Sequence, residues 1–409
     1  MAKSIYKFCI YAIIFLNLGF LDIFGVLDRQ AMFLSLILGL FAFFVYVFDE
    51  NKVQILKGKG GTETVVKNFL EAFKRYGNGK IEWKLYSYGG TQTAEWMSNW
   101  NKKVYSFTNS RFLQKVCYVL FLPFLILCTL KKEKPDIFVA TNPVMWTLAF
   151  YIRNILSLNT CIIAWYHYSY TQKKINRKYL YTTDYFWAIS KGIENELISY
   201  GVDSKKIYLI YNPIDVDTFS LVKRNKNKPL YFIYLGRIDF NGQKNVSELI
   251  QALNMIKGEW KLDLFGTITP STKDRLLSIA SLETKKKIRF KGFKENVWNE
   301  IVDADVLLLT SKYEGLGMVL IEAAAKGIYL VSSDCQVGPR EIINSKNGRL
   351  YPSGKVDELA LILQKIVSKD AQLPSREDIR RSIKKFDYYN YVNRIENFLN
   401  NKVSEKGRK

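Results

Sequence analysis

The stretch between Ser311 and Ile343 constrains the fold of this chain more than any other. It follows an apolar run, Ala304 to Thr310, whose length and branched residues are typical of a buried parallel strand. A glycine-containing turn comes next, and Met318 to Lys326 has helix-forming composition, with Gly327 placed to end the helix. The segment therefore predicts a strand, a turn, a helix and a second strand in succession.

The start of this predicted helix is suited to a phosphate group. Its first free backbone N–H groups, around Met318 and Val319, face the carboxyl end of a sheet, where the helix dipole is positive. Glu314 and Glu322 oppose this interpretation because carboxylates repel phosphate, yet they can accept hydrogen bonds from the hydroxyl groups of a sugar or a ribose. The alternative is that Glu314 is an ordinary first-turn carboxylate and Glu322 a solvated helix residue.

Composition narrows the class of partner. The chain has 409 residues, enough for two domains, and 60 Lys and Arg against 38 Asp and Glu, a net charge of +22. This surplus favours anionic partners, but no zinc finger, RNA-binding signature or basic heptad pattern is present, so nucleic acid is disfavoured. The five cysteines are scattered without paired spacing, which indicates neither a metal site nor a disulfide framework.

The first 48 residues contain two apolar runs, Phe8 to Val26 and Ala31 to Phe48. Eighteen helical residues span roughly 27 Å, just enough for a bilayer core. Lysines lie before the first run and after the second, which predicts a transmembrane hairpin with both ends in the cytoplasm. A single span from Ala31, with the first run in the membrane interface, is the competing topology.

From Lys52 the chain alternates predicted strands and helices, which favours parallel sheets with helices on both faces. A strand at 53–56 leads through a glycine-rich turn, with Gly60 and Gly61, into the amphipathic helix Thr62 to Tyr76. The glycines allow close approach of a ligand or serve turn geometry alone. The apolar run Val116 to Leu130 contains a proline and is short for a span, so it is predicted as a core helix or one that dips a face into the membrane.

Polar residues follow several predicted strands, where open parallel sheets bind ligands. His167, the sole histidine, comes directly after the strand Cys161 to Tyr166, and is either a ligand contact or a structural residue. Arg237 and Lys244 lie between the strand Leu230 to Leu235 and the next helix, where two cations can neutralise a diphosphate.

Several motifs in order carry a family resemblance: GKGGTETVVKNF, AWYHYSYT, GRIDFNGQKN and KYEGLGMVLIEAAAKG. Together they resemble the retaining glycosyltransferases of family 4, over roughly Lys52 to Leu399. The resemblance implies the α/β GT-B fold, two Rossmann-like doubly wound domains facing a cleft, here preceded by the hydrophobic start. The predicted domains are a membrane anchor at 1–50, an acceptor-side domain at 51–213, a nucleotide-sugar-binding domain at 214–385, and a C-terminal helix and basic tail at 386–409.

The resemblance also implies roles for individual residues. Glu322 holds the ribose hydroxyls of the nucleotide, Glu314 contacts the donor sugar, and His167 lies near the reacting sugar. Arg237 and Lys244 stabilise the departing diphosphate. The remaining expected contacts to the nucleotide sugar are Gly60, Gly61, Phe293 and the backbone of Leu316, Gly317, Met318 and Val319.

The sequence thus predicts a membrane-anchored enzyme on the cytoplasmic face. It is expected to move a hexose, galactose or glucose, from a UDP-linked nucleotide sugar to a lipid-linked saccharide or surface-glycan precursor. Its partners are the nucleotide sugar, that acceptor and an anionic membrane surface. No cofactor or metal is expected, since the nearest Asp-x-Asp pair, Asp215 and Asp217, is predicted to form a turn. A soluble acceptor and a catalytically idle membrane scaffold are the alternatives; loss of Arg237, Lys244 or Glu322 would have favoured the idle scaffold.

Overall fold

The computed structural model describes residues 61–88, 97, 99–105, 111–223 and 229–406. The two apolar runs, the strand at 53–56 and Gly60 lie outside the described residues. Within those ranges, no helix is both long and apolar enough to cross a membrane.

The described residues form two compact units. One takes in 61–67, 82–166 and 175–187, and the other 68–81, 167–174 and 188–406. The first unit therefore holds most strands of the N-terminal half, whereas the loop that begins at His167 belongs with the second unit.

The N-terminal half carries two parallel sheets and their helices. Its elements are α1 (Gly61–Tyr76), β1 (Leu85–Tyr88), β2 (Lys102–Tyr105), α2 (Arg111–Glu133), β3 (Ile137–Ala140), α3 (Pro143–Ile155), β4 (Cys161–Ala164), β5 (Tyr185–Ala188), α4 (Lys191–Ser199) and β6 (Ile207–Leu209). β1 pairs with β2, and the other strands form a sheet in the order β3-β4-β5-β6.

Helix α2 contains the predicted apolar run and is longer than expected. It includes Pro123, and its side chains Tyr118, Leu122, Ile126, Leu127 and Leu130 are almost fully buried. This burial supports the core-helix interpretation for that face of α2.

One N-terminal strand was predicted in the wrong place. The sequence predicts a strand from Ile81 to Tyr86, whereas β1 begins at Leu85, where pairing with Lys102 of β2 starts. Among the described residues no partner strand extends to 81–84, and pairing decides where a strand begins.

The C-terminal half forms one larger α/β assembly. Its elements are β7 (Leu230–Leu235), α5 (Val246–Met255), β8 (Trp260–Phe265), α6 (Pro270–Ile279), α7 (Leu282–Lys287), β9 (Ile288–Gly292), α8 (Val297–Glu300), β10 (Val306–Leu309), α9 (Met318–Ala325), β11 (Tyr329–Asp334), α10 (Pro339–Ile342), β12 (Gly348–Pro352), α11 (Val356–Val367), α12 (Arg376–Arg381) and α13 (Tyr388–Lys406). The predicted succession around α9 is confirmed, and Gly327 ends that helix with a φ of 73°. Asp215 directly precedes a short 3₁₀ turn (Val216–Thr218) and Asp217 lies within it, and Asp215 pairs with Arg75 at 2.9 Å.

The six strands of this half run parallel in the order β12-β11-β10-β7-β8-β9. β7 and β10 are neighbours, with Val306 opposite Phe232 and Leu307 opposite Ile233. From β7 the chain continues to β8 on one side, and from β10 it continues to β11 on the other. The loops after β7 and β10 therefore diverge and open a crevice, the usual ligand position in such sheets.

Candidate active site

The loops after β7 and β10 are joined by several hydrogen bonds. The backbone N–H of Lys312 donates to the carbonyl of Gln243 at 2.8 Å, and Nε2 of Gln243 donates to the carbonyl of Tyr313 at 3.1 Å. Thr310 Oγ1 donates to the carbonyl of Lys244 at 3.0 Å. Because these bonds join the loops in both directions, residues 236–245 and 310–317 form one wall of the crevice.

Asp239 organises the loop that carries the two predicted cations. Its carboxylate accepts hydrogen bonds from the backbone N–H groups of Lys244 at 3.1 Å and Asn245 at 2.9 Å. Nε of Arg237 lies 3.7 Å from the same carboxylate. A Cβ on Gly242 would lie 2.7 Å from Asp239 Cγ, so a larger residue here would displace the Asp239 carboxylate. Sequence reasoning missed Asp239, although an aspartate shortly before Asn-Gly is a recognised turn signal.

Lys244 and Glu314 form an ion pair in this wall. Nζ of Lys244 lies 2.6 Å from Oε1 of Glu314, and the two side chains are only 17% and 9% exposed. Glu314 precedes helix α9 and is buried, so the interpretation as an ordinary first-turn carboxylate is wrong. Lys244 also carries less free positive charge than a lone cation, because Glu314 neutralises much of it.

Arg237 differs from Lys244 in exposure. Its side chain is 62% exposed, and Nη2 donates to Oε1 of Gln243 at 3.4 Å. A guanidinium that is loosely held and largely in water at the carboxyl end of β7 can turn toward an arriving anion.

The first turn of α9 presents backbone donors as predicted. Gly317, with a φ of 91°, precedes the helix, and the N–H groups of Met318 and Val319 have no hydrogen-bond partner among the described residues. Leu316 is buried, and a Cβ on Gly338 would lie 2.5 Å from its carbonyl oxygen, so the backbone at this turn is closely packed. Unsatisfied N–H groups at a helix start bind anions readily.

His167 lies beside the same turn. A Cβ on Gly315 would lie 2.9 Å from the His167 carbonyl oxygen, so the two backbones are in close contact. Burial lowers the pKa of His167 to about 3, and its imidazole is therefore neutral at pH 7.

The loop after His167 is held by a buried carboxylate that sequence reasoning missed. Glu196, on α4, accepts hydrogen bonds from Ser169 Oγ at 2.7 Å, the Tyr170 N–H at 2.7 Å and Thr171 Oγ1 at 2.8 Å. Nothing in the sequence around Glu196 distinguishes it from a solvated helix carboxylate.

Glu322 is held differently from Glu314. It is partly buried on α9, and its Oε2 accepts a hydrogen bond from the indole Nε1 of Trp298 at 2.8 Å. Burial raises the pKa of Glu322, while the bond from Trp298 lowers it. The interpretation of Glu322 as a solvated helix residue is wrong.

Two other predicted residues lie on elements other than these loops and α9. Phe293 directly follows β9 and is 53% exposed. Gly61 is the first residue of α1 and belongs to the first unit, and its neighbour Gly60 lies outside the described residues. No group of three or more His, Cys, Asp or Glu side chains within the described ranges is placed to hold a metal ion.

Family models match most of the chain in two consecutive parts. Residues 59–218 match the model described as Glycosyltransferase Family 4, and residues 216–386 match that described as Glycosyl transferases group 1. The chain belongs to the glycosyltransferases. It is therefore an enzyme of that class, as the sequence motifs predicted.

Similar proteins agree with this assignment. The lipopolysaccharide 1,6-galactosyltransferase of Salmonella typhimurium is 29% identical over 362 residues, which cover 86% of this chain and 98% of that protein. The apo structure of the lipopolysaccharide outer core galactosyltransferase WaaB superposes with a TM-score of 0.73 at 28% identity, covering 85% of this chain and 98% of that one. The fold is thus GT-B-like. A structure of Anabaena Alr3699/HepE in complex with UDP, 15% identical with a TM-score of 0.69 and covering 85% and 98% of the two chains, supports the fold alone.

We expect Lys244→Met to lower the free energy of unfolding by about 3 kcal/mol, because it leaves the buried Glu314 carboxylate without its partner. The double variant Lys244→Met/Glu314→Gln removes that unpaired charge and should recover most of the loss. Chemical denaturation measures both. A double variant no more stable than Lys244→Met would contradict the argument.

His167 should make the protein less stable in acid. Its pKa of about 3 in the folded state lies below the unfolded value, so its contribution is present above about pH 6.5 and is lost as the pH falls toward 3. At pH 5, relative to pH 7, wild type should lose up to about 2 kcal/mol more than His167→Asn. Since the chain contains a single histidine, the difference between the two stability curves isolates this group. Parallel curves would refute the assignment.

Proposed function

We propose that this glycosyltransferase moves a hexose, galactose or glucose, from a UDP-sugar to a lipid-linked saccharide or surface-glycan precursor, with retention of configuration. The observation that carries the proposal is the buried Lys244–Glu314 ion pair directly before the open N–H groups of Met318 and Val319. Glu314 and the start of α9 lie within five residues of each other along the chain, and Nζ of Lys244 lies 2.6 Å from Glu314. A cation, a hydroxyl acceptor and a helix start in this arrangement suit a sugar joined to a diphosphate.

The chemical step separates charge, and the site is built to stabilise it. The bond between the sugar anomeric carbon and the diphosphate breaks, the acceptor oxygen bonds to that carbon, and the acceptor proton passes to the departing diphosphate. Lys244, Arg237 and the α9 N–H groups face the negative charge that develops on the leaving oxygen. Glu314 accepts hydrogen bonds from sugar hydroxyls while it orients Lys244.

Retention is assigned to attack on the same face that the diphosphate leaves. Double displacement requires a carboxylate nucleophile at the anomeric carbon, and Glu314 is already bound to Lys244. Two cations and the helix start stabilise the leaving group without a metal ion, so we propose that none is required.

The acceptor proposal draws on the relatives that act on lipopolysaccharide and on the charge of +22. A basic protein is attracted to anionic headgroups and to a phosphorylated carrier lipid. The runs at 8–26 and 31–48 are proposed to anchor the chain, with the catalytic residues on the cytoplasmic face. Transfer to a soluble acceptor is the second candidate.

The transfer reaction can be tested with UDP-galactose, UDP-glucose and GDP-mannose as donors and a membrane lipid extract as acceptor. We expect a UDP-hexose to be used, Lys244→Ala to lower the rate about a hundredfold, and Glu322→Gln to raise the donor KM about tenfold. Lys286→Ala and Glu358→Gln, at exposed positions on α7 and α11, are the matched controls.

Three results would overturn parts of this proposal. Equal activity of Lys244→Ala and Lys286→Ala would show that Lys244 takes no part in the reaction. Loss of activity with a chelator, restored by a divalent cation, would refute the metal-free step. NMR of the product should show the same anomeric configuration as the donor, and the opposite configuration would exclude retention.

Anchoring can be tested by fractionating cells that express the full chain. We expect it to sediment with membranes, to remain there in alkaline carbonate, and to resist protease added to sealed spheroplasts, because the catalytic part is on the inside. Release by carbonate would contradict a transmembrane anchor, and digestion from outside would contradict the orientation.

A further inference from the structure

A single indole group binds the carboxylate that is proposed to contact the ribose. Trp298, on the short helix α8, donates from Nε1 to Oε2 of Glu322 at 2.8 Å. No other group among the described residues hydrogen-bonds to the Glu322 side chain. Oε1 therefore remains as an acceptor for a ligand.

The backbone of Trp298 is bound by Lys326, the residue that directly follows helix α9. Its carbonyl accepts a hydrogen bond from Nζ of Lys326 at 2.6 Å, and Lys326 is only 8% exposed. Glu322 and Lys326 are four residues apart, a spacing at which a helix usually pairs opposite charges, yet they do not pair here. Trp298 binds both instead: its indole N–H donates to Glu322, and its carbonyl accepts from Lys326.

The ring of Trp298 has a third contact. It packs edge-on against Phe219, with ring centroids 6.3 Å apart and an interplanar angle of 78°. Three contacts of different kinds thus fix one residue, and a donor that is already fixed holds its acceptor in one orientation at little further entropic cost.

We propose that Trp298 is a positioning residue, which fixes Glu322 so that Oε1 accepts a hydrogen bond from one ribose hydroxyl of the nucleotide, and that this pair gives the enzyme its preference for a ribonucleotide. This inference rests on the proposed function, because it presumes a nucleotide donor.

The same hydrogen bond acts on the charge of Glu322. Burial favours the neutral acid and raises its pKa, whereas the indole N–H favours the ionised form and lowers it. An ionised carboxylate accepts stronger hydrogen bonds from hydroxyl groups than the neutral acid does. Trp298 therefore supports both the orientation and the acceptor strength of Glu322.

Calorimetry with UDP, 2′-deoxy-UDP and 3′-deoxy-UDP tests the inference on the full chain. Trp298→Phe removes the N–H and keeps a ring against Phe219. We expect the Kd of UDP to rise about tenfold, because Glu322 without its Trp298 partner is no longer held to accept the hydrogen bond from the ribose hydroxyl. The Kd of the deoxynucleotide that lacks the Glu322-bound hydroxyl should change less than about twofold, because that nucleotide cannot form the hydrogen bond to Glu322 in either protein.

Trp260→Phe is the matched control. Trp260 is 3% exposed on β8, and its indole nitrogen has no hydrogen-bond partner among the described residues. This variant should leave all three affinities unchanged. If Trp298→Phe does not fold, as judged by thermal denaturation, Lys326→Met tests the same arrangement, because it removes the hydrogen bond to the Trp298 carbonyl. This variant should also raise the Kd of UDP more than that of the deoxynucleotide.

The outcomes separate the two proposals. Wild type that binds no nucleotide overturns the proposed function and this inference with it. Wild type that binds UDP, together with a Trp298→Phe variant that binds all three nucleotides as wild type does or loses affinity equally for all three, overturns the role of Trp298 alone.

Discussion

The pairing of β7 with β10 is the constraint on which the C-terminal half depends. These strands meet at the centre of the six-stranded sheet, and their chains leave it in opposite directions. A crevice forms at their carboxyl ends because no connecting helix covers the point of divergence. The apolar composition of both strands is needed for this position, since a central parallel strand is buried on both faces.

Hydrogen bonds between the two diverging loops then hold them together as one wall of the crevice. Asp239 shapes one loop, and Lys244 crosses to Glu314 on the other. An ion pair this buried contributes little net stability, because the cost of desolvation offsets the attraction between the charges. Its main effect is therefore to hold the two side chains in a fixed position. Both charges keep a small exposed fraction, 17% for Lys244 and 9% for Glu314, as the proposed contacts to a sugar donor require.

The sequence predicted the parts of this arrangement that depend on local chemistry. The helix α9 with Gly327 at its end and the limits of β7 follow from residue type and spacing. It did not predict that Lys244 and Glu314, seventy residues apart, would pair with each other. Nor did it find Asp239, Glu196 or Trp298, whose roles arise from partners brought close only by the folded chain. The short helices α7, α8 and α10 were missed because tertiary contacts, and not propensity, stabilise elements of four to six residues.

Helix α9 is only eight residues long, well below the length at which an isolated helix persists in water. Its free N–H groups consequently exist as a set only when β10, β11 and their neighbours hold the helix in place. If the proposed donor site is correct, anion binding and local folding are one coupled equilibrium: the ligand-free protein keeps an unsatisfied helix start ordered at a cost in free energy, and a diphosphate bound there would offset that cost. The proposed ligand would then stabilise the same segment that binds it.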